Sequence, residues 1–250
     1  NGVDYFALDH DEGQFDGYLK RYGTFAGTGI TSFRMPSNLQ YIAPETFRNC
    51  EQLKTFYIGK AFRGKINYGE EGDPDTLFLY YAPIRLIQID KENTSYQLQN
   101  EILYTRDGHI LCQALKNDNA DSQLTIPSCV TEIADGAFYR NSEFGAIEVK
   151  GSLERIGISA FACADVGSFY VKGGVNYLDR GSFYQSAISE WRCHGGVKKY
   201  EKSAFQDVDA TNGYAIDMNA ITKLYQELLY VNATTDLSYW VKTIWNWIIM

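Results

Sequence analysis

Five phenylalanines, Phe47, Phe138, Phe161, Phe183 and Phe205, each follow a small residue: Thr46, Ala137, Ala160, Ser182 and Ala204. The last four are spaced by 23, 22 and 22 residues. Behind every one of them the positions at −14, −12, −8 and −5 are apolar. They read Phe33/Met35/Leu39/Ile42, Leu124/Ile126/Val130/Ile133, Ile147/Val149/Leu153/Ile156, Phe169/Val171/Val175/Leu178 and Trp191/Cys193/Val197/Tyr200. In a chain that is 45% apolar, twenty such positions fill by chance with a probability on the order of 10⁻⁷. A fixed period of this length marks supersecondary units that bury their apolar faces against one another, so the chain is expected to be a solenoid.

Within each unit the −14 and −12 residues alternate with polar ones, as in Gln123-Leu124-Thr125-Ile126. That predicts a short strand with its apolar side chains inward. The apolar residues that follow are three and then five apart, too tight for a long helix, and predict an irregular or 3₁₀-like return plugged by the small-Phe pair. Eight strands are expected: Phe33–Met35, Phe56–Ile58, Ile87–Ile89, Leu124–Ile126, Ile147–Val149, Phe169–Val171, Trp191–Cys193 and Tyr214–Ile216. Each coil returns to the same side before the next begins, so these strands should be parallel. Two spacings are long. Residues 67–83 open with the acidic run Gly69-Glu70-Glu71-Gly72-Asp73-Pro74-Asp75 and read as an excursion. Residues 101–115 place Asp107-Gly108 between two apolar runs, a hairpin signal.

Solenoid ends expose core and need caps. Residues 1–29 are expected to be the N-terminal cap, 30–218 the solenoid and 219–250 a C-terminal cap. The last is expected to be helical, because Ile221, Leu224, Tyr225, Leu228 and Leu229 recur at helical spacing, and a second helix is expected from Thr235-Asp236. The fold class is therefore an α/β solenoid with short parallel strands on one face.

The segment Leu124-Thr-Ile-Pro-Ser-Cys-Val-Thr-Glu-Ile-Ala-Asp-Gly-Ala-Phe138 closely resembles the repeat of BspA-like leucine-rich-repeat proteins. Ile87-Gln-Ile-Asp-Lys-Glu-Asn-Thr-Ser-Tyr96, continuing to Ile102-Leu-Tyr-Thr-Arg-Asp-Gly108, is similar to another recurring element of that family. The resemblance covers about residues 30–216. It implies a right-handed leucine-rich-repeat coil and an extracellular or cell-surface location in a secreted protein. It also implies an adhesin-like role toward a protein or glycan partner, with no conserved catalytic residue to carry over. The start at Asn1 without Met points to a processed or truncated product, with a signal peptide removed.

Charge excludes other classes. With 23 basic and 31 acidic residues the net charge is −8, and no Lys/Arg stripe appears, so nucleic acid is not an expected partner. No stretch approaches the roughly 18 apolar residues of a membrane span. The five cysteines include no C-x-x-C, and with three histidines zinc is not expected. Cys50 and Cys163 fall near the place that Asn141 takes in another coil, and are expected to bond the backbone of the turn from a buried ladder position. Aligned as a calcium loop, Asp9, Asp11 and Gly13 would put Lys20 where a bidentate Glu is required, so His10-Asp11-Glu12 read as a solvated loop. Cys193 and His194 are adjacent on a strand and point to opposite faces, so they cannot form one catalytic pair. The sequons at Asn93 and Asn232 carry little weight. No catalytic residue, metal or cofactor is expected.

What remains is the outward position between the two inward residues of each strand: Arg34, Tyr57, Gln88, Thr125, Glu148, Tyr170, Arg192 and, in the eighth coil, Ala215. Tyr and Arg are favoured at binding hot spots, so this strand face, the concave wall in a leucine-rich-repeat coil, is the candidate binding site. Two other readings compete: an enzyme or enzyme subunit with its site in the acidic excursion or the caps, and a structural spacer of a larger surface protein.

Overall fold

The computed structural model describes residues 5–6, 13–15, 18–20, 24–68, 76–79, 82–115, 122–141, 144–201 and 203–205. Seven of the expected strands form, as Ser32–Arg34, Thr55–Ile58, Leu86–Ile89, Ser122–Ile126, Phe144–Val149, Asp165–Val171 and Ala187–Cys193. The eighth and the helical cap at 219–250 lie outside the described residues. All seven pair in parallel with the next coil wherever they pair. Their inward residues are in register, so that Ile126, Val149, Val171 and Cys193 line up across four coils. We call this the front of the solenoid.

The returns differ from expectation. They are a second parallel ladder, formed by Glu132–Ile133, Leu153–Ile156, Val175–Leu178 and Val197–Tyr200. The reason is accounting of backbone groups. Coils stacked at the strand spacing of about 4.8 Å bring successive returns within hydrogen-bonding distance, and an extended return satisfies donors and acceptors that a lone arc would leave open. In Leu153-Glu154-Arg155-Ile156 the two end residues are buried and the middle pair is not, a pattern without the alternation that reveals a strand. No helix occurs among the described residues, so within them the coil is all-β rather than α/β.

The repeat phenylalanines form the axis of the core. Phe138, Phe161, Phe183 and Phe205 stack face to face at centroid distances of 4.6, 4.9 and 5.1 Å, with planes within 8° of parallel. Phe169 and Trp191 from the front strands meet this column edge-on, the geometry the ring quadrupole favours. Two residues past the phenylalanine the chain reverses through a left-handed residue in four coils: Asn49, Arg140, Cys163 and Gln185, with φ of 57°, 52°, 55° and 50°. The residue after that turns back into the core. Cys50 donates its thiol to the Phe25 carbonyl at 2.9 Å, and the Asn141 amide donates to Leu115 O at 3.3 Å, each reaching about one coil back. Cys163 is not in that position; it is the left-handed residue itself and is half-exposed.

The hairpin is more than an excursion. Tyr96–Gln99, Ile102–Thr105 and Ile110–Ala114 pair antiparallel, and the last continues in parallel into the return ladder at Glu132–Ile133. Both faces of its inner two strands are buried. Ile102, Tyr104, Leu111 and Ala114 belong to the core of the C-terminal coils, while Leu103, Cys112, Leu115 and Tyr96 belong to that of the N-terminal coils. The hairpin is a septum between two half-solenoids, and that is why Ile102–Thr105 and Ile110–Ala114 are buried along both faces, whereas the outer strand Tyr96–Gln99 alternates and is largely exposed. On the front it leaves two separate sheets, one of three strands and one of four.

Two buried asparagines fasten the septum. Asn67 donates to Cys112 O and Gln113 Oε1 and accepts from Leu79 N at 2.7 Å. Asn93 donates to Gly59 O and Phe62 O and accepts from the Ser95 and Tyr96 amides. With its amide so engaged, Asn93 has no nitrogen to offer a glycan in the folded chain. The 67–83 segment is also less of an excursion than the sequence suggests. Its acidic head lies outside the described residues, but Thr76–Leu77 pairs with Lys65–Ile66, and Leu77, Leu79, Ala82 and Ile84 are buried.

The buried column makes a pair of contrasting predictions. Phe161→Ala should destabilise the chain by roughly 3–5 kcal/mol, from lost contacts plus the cavity. Ser182, in the equivalent small position before Phe183, is fully buried and its hydroxyl has no hydrogen-bond partner among the described residues. Ser182→Ala should therefore stabilise by about 1 kcal/mol. Denaturant unfolding checks both, and a loss of stability in Ser182→Ala would show that the hydroxyl is satisfied after all.

Candidate functional site

Parallel register turns the outward residues into rows. In the three-stranded sheet Arg34, Tyr57 and Gln88 are direct partners on successive strands. In the four-stranded sheet Thr125, Glu148, Tyr170 and Arg192 are. Each projects between buried or half-buried neighbours, and Arg34, Gln88, Thr125 and Arg192 are exposed while Tyr57, Glu148 and Tyr170 are half-buried. The structure thus brings the seven described candidates together as two rows, with the septum interrupting the single wall that the sequence suggested. Ala215 lies outside the described residues.

Each row is organised around its tyrosine. The Arg34 guanidinium stacks over the Tyr57 ring, 4.0 Å from its centroid, a cation–π contact. The Tyr57 hydroxyl donates to Asp90 Oδ2 at 2.9 Å. That hydrogen bond, more than desolvation, raises the Tyr57 pKa. The Asp90 carboxyl is held below its ordinary value by the Glu92 backbone N–H and by the Tyr57 hydroxyl. In the other row Tyr170 meets the His194 ring edge-on, its hydroxyl 3.5 Å from Nδ1. Arg192 pairs with Glu190, and Glu148 pairs with Lys150 and Lys172. Lys150, which donates hydrogen bonds to Glu148, is the main cause of the lowered Glu148 pKa.

The geometry separates Cys193 from His194. The thiol is buried and donates to Gly196 O at 3.2 Å, while the imidazole is exposed. All five cysteines are thiols. Among the described residues no group of three or more His, Cys, Asp or Glu side chains could hold a metal ion, and no helix is long and apolar enough to cross a membrane. His10-Asp11-Glu12, the acidic run at 69–75 and Asn232 fall outside the described residues.

One electrostatic feature was not anticipated from the sequence. On the return face Arg155 reaches Glu132 at 2.9 Å, Asp135 at 2.5 Å and Asp179 at 2.9 Å, joining three successive coils. Burial works against its charge, but the carboxylates of Asp135 and Glu132 outweigh that and raise its pKa. Gly157 makes room for the cluster, since a Cβ there would lie 2.7 Å from the Asp135 nitrogen. Next along the ladder, Tyr177 donates to Glu201, which pushes its pKa up to about 12. Every member is committed to a neighbouring coil, so this face ties the stack. The partners are about 20–24 residues apart, one coil, and the repeat period is the signal that could have revealed them.

Comparison with known proteins agrees with this geometry. The family model described as BspA type leucine rich repeat region matches residues 21–68 and 108–212 in six copies. No relative is found among the curated proteins. Among solved structures, the pneumococcal vaccine antigen PcpA is 19% identical with a TM-score of 0.59, the match covering 73% of this chain and 50% of that one. At that identity the likeness is one of fold, and the chain spans half of the PcpA structure. A leucine-rich repeat protein from Eubacterium ventriosum matches at 16% identity and a TM-score of 0.41, over 74% of this chain and 66% of the other.

The Tyr57–Asp90 contact has a pH signature. A carboxyl whose folded pKa is lowered contributes stability that is present above the unfolded value of about 3.9 and is lost as pH falls through the folded value. Tyr57→Phe removes one donor, so the Asp90 pKa should rise toward the ordinary value. A carbon-13 titration of the Asp90 carboxyl measures it. An unchanged pKa in the variant would mean that the hydroxyl does not donate to Asp90 in solution.

Proposed function

We propose that this chain, which belongs to the BspA type leucine-rich-repeat family, is the binding module of a secreted or cell-surface protein. It engages an extracellular macromolecule through the outward rows of its front strands, in an adhesin-like role and without chemical turnover. The observation that carries this reading is the register: Tyr and Arg side chains stand side by side on a hydrogen-bonded sheet, in rows that cross three and four coils. A side chain held this way loses little freedom on binding, which is what makes a hot spot efficient. The fold it shares with a vaccine antigen supports exposure at a cell surface. The return face is tied from coil to coil by the Arg155 cluster.

The test is a double variant, Tyr170→Ala with Arg192→Ala, against a partner captured from immobilised extracellular-matrix proteins or a glycan array. Affinity should fall at least tenfold, or ~1.4 kcal/mol, with the melting temperature nearly unchanged because both side chains point outward. A partner that binds this variant as well as the parent chain contradicts the reading.

A further inference from the structure

The septum leaves two strand edges on the front without a neighbour. Leu86–Ile89 ends the three-stranded sheet, and Ser122–Ile126 begins the four-stranded one. The Leu86 and Asp90 amides donate back to Lys54 O and Ile58 O. Along a parallel strand successive residues aim their N–H and C=O to opposite sides, so Ile87 and Ile89 aim theirs away from their sheet. Beyond the septum Ile126 O accepts from Lys150 N, and by the same alternation Gln123 and Thr125 aim theirs away from the four-stranded sheet. Among the described residues these four have no backbone partner on that side. On the return face two strands, Ile102–Thr105 and Ile110–Ala114, stand between Tyr96–Gln99 and Glu132–Ile133. Among the described residues the front has no strand in that interval.

Neither edge carries the charges or prolines that keep exposed strands apart. Leu86-Ile87-Gln88-Ile89 and Gln123-Leu124-Thr125-Ile126 contain no Lys, Arg, Asp, Glu or Pro. The far edges of the same sheets do carry charge, at Arg34 in one and at Glu190 and Arg192 in the other. A register shift between Ser122 and Gln123 sets the start of the regular edge at Gln123. Leu86, at the start of the other edge, is 45% exposed, one of two large apolar side chains so exposed among the described residues.

We infer that these edges take up an extended segment of a protein partner as an added strand, and that the segment is uncharged and lacks Pro where it bonds. In such a contact the backbone groups supply affinity and alternate side chains supply selectivity. An added strand beside Leu86–Ile89 would cover Leu86 and give the Ile87 and Ile89 groups their partners. Charge argues against a second copy of this chain as occupant, since −8 would meet −8. Residues 116–121, Lys-Asn-Asp-Asn-Ala-Asp, are mostly of types that strands disfavour. The inference concerns backbone edges between the two rows, goes beyond the front-row reading and does not need it.

The experiment uses the whole chain and a library of end-blocked peptides about seven residues long, uncharged and without Pro, with amide hydrogen exchange as the readout. In the free chain the Ile87, Ile89, Gln123 and Thr125 amides should exchange at least about tenfold faster than the ladder-bonded Gln88 and Leu124 amides. A bound peptide should slow them. The double variant Leu86→Lys with Thr125→Pro adds a charge to one edge and removes an outward N–H from the other. It should weaken peptide binding at least about tenfold, and Leu86→Lys with Thr125→Lys should do the same if the proline variant fails to fold. Tyr170→Ala with Arg192→Ala should leave peptide binding unchanged. Slow exchange of the four amides in the free chain overturns the inference: independent of concentration, the chain fills its own edges, and growing with concentration, a second copy does. Binding that survives in the edge variants, or survives Pro at every second peptide position, overturns strand addition, as does a library with no binder. Peptide binding lost only in Tyr170→Ala with Arg192→Ala overturns it too, and leaves the front-row reading standing. Failure of the front-row reading shows separately, as a captured partner that this last variant binds normally.

Discussion

The stacking of coils at one strand spacing is the constraint on which everything else depends. It fixes the column from Phe138 to Phe205 at centroid distances of 4.6 to 5.1 Å, because flat rings one per coil can only repeat at the distance the backbone ladder allows. It also forces the small residue before each phenylalanine, since Ala137, Ala160, Ser182 and Ala204 lie fully buried between neighbouring arcs. The same spacing makes the returns pair, brings Arg155 to carboxylates in the coils on either side, and lines up the outward residues of the front. Core, electrostatic tie and candidate site are three consequences of one translation.

The septum is the exception to that translation, and it divides the candidate site into two rows. A solenoid grows by adding copies, yet here the growing front is interrupted and a two-faced antiparallel sheet is inserted. The insertion needs polar fasteners in apolar surroundings. Asn67 and Asn93 provide them with every amide group engaged, the condition under which a buried polar group stops being a liability. The outcome is two outward rows on two separate front sheets, with the septum between them.

Much of this was legible in the sequence, and the misses share a cause. The inward pairs at −14 and −12 located five front strands, and extending the same register located Phe56–Ile58 and Ile87–Ile89, because alternation against a repeated core is unambiguous when five units agree. The outward positions followed from the same parity. The returns were misread as irregular because Leu153 and Ile156 are separated by two polar residues, and whether such a segment pairs depends on its neighbour in the next coil, not on itself. The hairpin turn at Asp107-Gly108 was plain, but its burial on both sides was not, since a run such as Ile102-Leu103-Tyr104 does not say that two cores lie against it. Asn93 shows the converse: its sequon is a surface signal in the sequence and a buried hub in the fold.

The claim that recognition belongs to the front rows is tested most directly by side-chain footprinting of the chain with and without its captured ligand. Hydroxyl-radical labelling should fall at Tyr57 and Tyr170 when ligand is bound, and stay constant at Tyr177, which lies on the return ladder between Arg155 and Lys199. Protection of Tyr177 with unchanged labelling of Tyr57 and Tyr170 would place recognition on the return face and contradict the account.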